Sequence, residues 1–144
     1  MSFKRILIAL DSEPVAVHAA DRGLELARAL SAEVAFIHVL DSKAVVAPES
    51  GVPADEMVAL AEADARRLVA RFRDRLEGGP SSLEFIPSGR PATEIVNAAK
   101  LWPADLIVIG SHGRGAIGRT LLGSVAEAVL RHAPCPVLVI KASA

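Results

Sequence analysis

Two kinds of hydrophobic pattern take turns along this chain. Ile6-Leu7-Ile8-Ala9-Leu10 is a continuous apolar run closed by Asp11-Ser12, the pattern of a short strand buried on both faces. Pro14 then opens a helix, with Ser12 or Glu13 at its cap. Ala20, Leu24, Ala27 and Leu30 form its apolar stripe, and Asp21, Arg22, Glu25 and Arg28 its wet side. Val34 to Leu40 predicts a second strand. Residues 41–53 carry Pro48, Gly51 and Pro53 without any period, so a loop is expected, of a length suited to binding or mobility. A second helix is expected from Ala54 to Leu76, with Ala65, Leu68, Val69, Phe72 and Leu76 at helical spacing, stopped by Gly78-Gly79-Pro80. Leu83-Glu84-Phe85-Ile86 reads as a third strand, short and less apolar, hence at an edge. Pro91 begins a helix that runs to Lys100 and ends at Trp102-Pro103. A fourth strand is expected over 105–109, a helix ending near His132, and a fifth strand over Val137–Ile140.

Strands and helices alternating in this way predict an α/β fold: right-handed βαβ units on one five-stranded parallel sheet, with helices on both faces. The chain, residues 1–144, is expected to form a single domain. Ligands of such sheets gather at the carboxyl ends of strands, where the chain order reverses. Strand order 3-2-1-4-5 sets strands 1 and 4 side by side, and Asp11 and Gly110 then flank one crevice.

Composition narrows the picture. Aromatics make up only 3% of the chain and tyrosine is absent, so Val, Ile, Leu and Ala must fill the core. A formal charge of −1 gives no bulk attraction to nucleic acid or to an anionic membrane. No apolar run approaches a membrane span, and the start of the chain lacks a signal-peptide cleavage pattern, so a cytoplasmic protein is expected. The lone Cys135 excludes an intramolecular disulfide; set between Pro134 and Pro136, it is expected to be a buried, inert thiol. Arg66, Arg67, Arg71, Arg73 and Arg75 read either as a basic patch or as a solvated helix face. The interspersed Asp64, Asp74 and Glu77 favour the second. His18, His38 and His132 show no metal-ligand spacing. Trp102 reads as a hydrophobic plug.

The chemistry concentrates in Gly110-Ser111-His112-Gly113, nine further residues, and Gly123-Ser124. This stretch lies between a strand and a helix. Glycines there let main-chain N–H groups approach a phosphate, and the helix start adds free donors and partial positive charge. A Walker A loop is excluded, because no Gly-Lys pair occurs in the chain. Gly113-Arg114-Gly115-Ala116-Ile117-Gly118 does match the dinucleotide fingerprint. The acidic residue expected about 20 positions later is missing, since that distance falls in Leu138-Val139-Ile140.

From Ile109 through Gly123-Ser124-Val125 to Cys135-Pro136-Val137, with Ala9-Leu10-Asp11, His38-Val39 and Gly89-Arg90-Pro91 earlier, the chain resembles the universal stress protein family. G-x2-G-x9-G-S is the mark of its ATP-binding branch. The resemblance implies a Rossmann-like fold of the adenine nucleotide alpha hydrolase type, a homodimer and bound ATP, with Mg2+ as an accompanying ion. By the same resemblance, Asp11 faces the ribose or Mg2+; helix capping is its competing role. Ala9 and Val39 line the adenine slot. Val39 reads the base edge with main-chain groups, since its side chain offers only an apolar wall. Gly110, Gly113, Gly123 and Ser124 surround the phosphates, and Leu10, Ile109 and Val125 are expected among the nucleotide-binding residues. His112 bonds a phosphate or the loop itself, and Arg114 either neutralises phosphate charge or points to water. No residue is assigned as catalytic.

The expected function is therefore nucleotide-dependent regulation in a stress response. The alternatives are slow ATP hydrolysis or autophosphorylation, with Ser111, Thr120 or Ser124 as acceptor, and a dimeric scaffold without ligand. Val137–Ile140 is apolar on both faces and falls at a sheet edge, so the homodimer is expected to form by antiparallel pairing of this strand. Neither nucleic acid nor membrane is an expected partner.

Overall fold

The computed structural model of the chain describes residues 2–10, 14–41, 50–76, 82–111 and 122–141. Along them run β1 (Arg5–Ala9), α1 (Pro14–Leu30), β2 (Glu33–Ile37), β3 (Leu40–Asp41), α2 (Ala54–Arg73), β4 (Ser82–Phe85), β5 (Ser88–Gly89), α3 (Pro91–Leu101), β6 (Leu106–Gly110), α4 (Ser124–His132) and β7 (Val137–Ile140). The main sheet has the order β4-β2-β1-β6-β7, and every pair in it is parallel. This is the order expected from the sequence.

The most continuously apolar runs take the middle of the sheet, where both faces must be covered. Side chains alternate between two cores. Ile6, Ile8, Val34, Phe36 and Val108 pack against Ala20, Leu24 and Ala27 of α1 and Leu68, Val69 and Phe72 of α2. Leu7, Ala35, Ile37 and Ile107 pack against Ile95, Ala98 and Ala99 of α3 and Ala126 and Val129 of α4. Gly23 lets α1 lie close on the sheet. A Cβ there would sit 3.1 Å from Ile8 Cδ1 and 3.2 Å from Val108 Cγ1. Trp102 packs against the second core as a plug.

Two boundaries and one burial depart from the sequence reading. The second strand breaks after Ile37 instead of running to Leu40. Its continuation, β3, pairs with β5 in a two-stranded parallel sheet. The break is a local offset: His38 N–H still donates to the Phe85 carbonyl at 3.0 Å, and Leu40 N–H to the Pro87 carbonyl at 2.8 Å. The second helix ends at Arg73 and tightens into a 3-10 turn over Asp74–Leu76. Cys135 is half-buried, not buried; what burial it has pushes its thiol pKa up, and the nearby Asp105 carboxylate pushes it further.

The arginines of α2 are a mixed-charge surface. Arg66 pairs with Glu62 at 3.6 Å, Arg67 with Asp64, and Arg73 with Glu84 at 2.7 Å. Arg75 bonds Asp21 and lies over the Phe72 ring at 4.7 Å. Exposed pairs of this kind contribute less than about 1 kcal/mol each. Among the described residues, no helix is long and apolar enough to cross a membrane.

Candidate functional site

β1 and β6 lie in register, Ile8 against Val108, so both chains leave the sheet at the same height. From β1 the connection leads towards β2, and from β6 it leads the other way, towards β7. That divergence opens a crevice at the carboxyl ends of the two strands.

The β6–α4 side is assembled by main-chain bonds. Ser111, buried just beyond β6, donates its N–H to the Ile140 carbonyl at 2.8 Å, while its own carbonyl accepts the Gly123 N–H at 2.5 Å. α4 therefore begins beside the end of β6. Gly123 is the cap of α4, with φ −68° and ψ 158°, and no side chain caps the helix. Its carbonyl accepts the Glu127 N–H at 2.9 Å. The N–H groups of Ser124, Val125 and Ala126 precede that first bond and have no acceptor within the helix. Three donors and the positive end of a helix dipole are suited to an anion. The Gly123 backbone lies in a region open to any residue.

The opposite side, past the ends of β1 and β2, follows from strand alternation. His38 and Leu40 turn their N–H groups towards β4 and β5. Val39, between them, turns its N–H and C=O the other way, towards β1, just past the point where β1 ends. A donor and an acceptor side by side match the Watson–Crick edge of adenine, whose N1 accepts and N6 donates.

The residues expected to form the site separate into three groups. Ala9 and Ile109 are buried on one face of the sheet, and Val39 and Val125 pack against them; Gly110 closes β6, Gly123 is half-buried and Ser124 is exposed. Leu10 stands apart, its side chain in the core under α1 and α2, so that only its main chain reaches the site. Asp11, His112, Gly113 and Arg114 lie outside the described residues. The metal role considered for Asp11 lies there too, and among the described residues no cluster of His, Cys, Asp and Glu could hold a metal ion. One neighbour of the site went unassigned by sequence reasoning. His38 Nδ1 lies 2.9 Å from the Leu10 carbonyl, which ties the end of β1 to the end of β2. The available signal was a histidine within a strand-like apolar run that ends at the ligand side of the sheet.

Another hollow lies at the amino end of the sheet, lined by Phe3, Lys4, Leu30, Ser31, Pro103 and Asp105 among others. Its two carboxylates already have partners within it. Asp105 accepts the N–H groups of Lys4 and Arg5 at 2.9 and 3.0 Å, and Arg5 pairs with Glu33 at 3.2 Å.

Known proteins agree with this architecture. A family model described as the universal stress protein family matches residues 2–141. Universal stress protein MJ0531 of Methanocaldococcus jannaschii is 37% identical over 145 residues, covering 96% of this chain and 82% of its own length. Among solved structures, the universal stress protein UspA of Lactobacillus plantarum superposes with a TM-score of 0.86 at 28% identity, covering 97% of this chain and 99% of that one. An Arabidopsis thaliana universal stress protein family member with AMP bound shares the fold, with a TM-score of 0.68 at 21% identity over 98% of this chain and 93% of that one. With the parallel sheet, the crevice and the family match in agreement, this chain belongs to the universal stress protein family.

Proposed function

We propose that the protein is a nucleotide-dependent regulator of the cytoplasmic stress response that binds ATP in the crevice between β1 and β6. The observation that carries this reading is the start of α4, held against β6 by the Gly123–Ser111 bond with three main-chain donors turned outwards. Ser124 and Val125 would hold phosphate oxygens through these amides. Val39 would hold the adenine edge through its N–H and C=O, and Ala9 and Ile109 would wall the slot. Guanine presents N1–H and O6 where adenine presents N1 and N6–H, so the same pair of main-chain groups disfavours GTP. Asp11 is assigned to the ribose or to Mg2+, and Gly113, His112 and Arg114 to the triphosphate, on the family resemblance. The AMP bound to the Arabidopsis relative supports the capacity of this fold for adenine nucleotides.

Equilibrium titration with ATP and GTP, with phosphate release followed in the same samples, tests the reading. Micromolar ATP binding, at least about tenfold weaker GTP binding and release too slow to count as turnover are expected. Absence of ATP binding at millimolar concentration overturns it.

The same reading includes a homodimer formed through β7. That strand bonds only β6 in the sheet, and Leu138 on it is 37% exposed. Light scattering at micromolar concentration should give the mass of two chains; the mass of one chain contradicts the dimer.

A further inference from the structure

The ladder between β1 and β2 stops one bond early. Its register pairs Ala9 with Ile37, and Leu10 N–H donates to the Ile37 carbonyl at 2.8 Å. In a parallel ladder the next bond runs from the N–H of the residue two further on, Val39, back to the Leu10 carbonyl. Among the described residues that bond is not made. The imidazole of His38 stands at the Leu10 carbonyl instead, Nδ1 at 2.9 Å. A carbonyl only accepts, so Nδ1 carries the proton. The ring thus takes the acceptor that the strand would have given to Val39.

We infer that His38 is a positioning residue: its Nδ1–H occupies the Leu10 carbonyl and so releases the Val39 N–H for the ligand's base. The inference rests on the adenine-binding reading above. It assigns to a side chain the break between β2 and β3, which the apolar run of the sequence does not foretell. The main chain on the other flank is held firmly, by His38 N–H on Phe85 and Leu40 N–H on Pro87. Val39 is thereby fixed between two anchored residues with its own donor free to face β1. Without the imidazole, the Leu10 carbonyl regains its natural partner. The ladder gains a bond, and a base must then compete for the Val39 amide.

Side-chain geometry supplies the test. Asn Nδ2 falls where His Nδ1 stands relative to Cβ, whereas the Gln amide nitrogen falls where Nε2 stands. His38→Asn should keep ATP affinity within about twofold of the parent. His38→Leu and His38→Gln should weaken ATP about fivefold to tenfold, the range for one lost hydrogen bond. Their discrimination against GTP should shrink as well, with inorganic tripolyphosphate affinity unchanged. In the ligand-free proteins, the Val39 amide should exchange with deuterium quickly in the parent and His38→Asn, and slowly in His38→Leu. Equal ATP affinity in all four proteins, or His38→Asn behaving like His38→Leu, overturns the inference. Should the parent bind no ATP, the nucleotide reading fails by itself, and Val39 exchange still decides whether His38 frees that amide. Fast exchange in His38→Leu would then refute it.

Discussion

The two ends of the main sheet are made of the same strands and differ in how their polar groups are used. At the amino end, hydrogen bonds close on one another. Asp105 receives two main-chain N–H groups and gives its own N–H to the Arg5 carbonyl at 2.8 Å, while Glu33 N–H meets the Lys4 carbonyl at 2.8 Å. At the carboxyl end, the first turn of α4 keeps three donors over, and Val39 turns a donor and an acceptor towards a strand that has already ended. An anion gains little at the first end, because it would have to break bonds already made. At the second end it meets donors already in place. On the proposed reading, unspent main-chain groups rather than a surface hollow mark the place of binding.

The contrast makes graded predictions. The largest effect is expected at the carboxyl end. Gly123→Val should reduce ATP affinity by more than about 100-fold, on the order of 3 kcal/mol, because the added isopropyl group occupies the phosphate path. The fold should survive, since φ −68° and ψ 158° are open to valine, and an unchanged urea midpoint would show it. A variant that binds ATP normally would remove the phosphate side from the account.

At the amino end the effects should reverse. Asp105→Ala should cost about 2 kcal/mol of stability in urea unfolding, with ATP affinity within about twofold of the parent. It also removes a charge that raises the Cys135 thiol pKa. A lowered pKa means more thiolate at pH 8 and modestly faster alkylation by iodoacetamide. An ATP affinity that falls with Asp105→Ala would show the two ends to be coupled, and the division drawn here would fail.

Much of the carboxyl end was legible in the sequence, because it is built from local signals. A short continuous apolar run bounded by turn residues reads as a buried strand, and Ile6–Ala9 and Leu106–Ile109 lie in β1 and β6. The glycine at 123 and the start of a helix at Ser124 are local signals of amides without an acceptor in the helix. The break at His38–Val39 was not legible. VAFIHVL has the apolar density of one uninterrupted strand, and at the break a ring just past β2 reaches a carbonyl just past β1, 28 positions earlier. Bonds between segments distant in sequence leave no period to read. The pairing of β3 with β5 was hidden for the same reason, as two-residue strands carry no pattern of their own. The role of Leu10 was only half visible: its place in the chain pointed to the site, while alternation sent its side chain into the opposite core.

The most direct test maps ATP onto the two ends at once, by titrating 15N-labelled protein and following each amide by NMR. Saturable shifts are expected at Val39, Gly123, Ser124, Val125 and Ala126, with Lys4, Arg5, Glu33 and Asp105 unmoved. Shifts centred on the second group, with the first group still, would contradict the account.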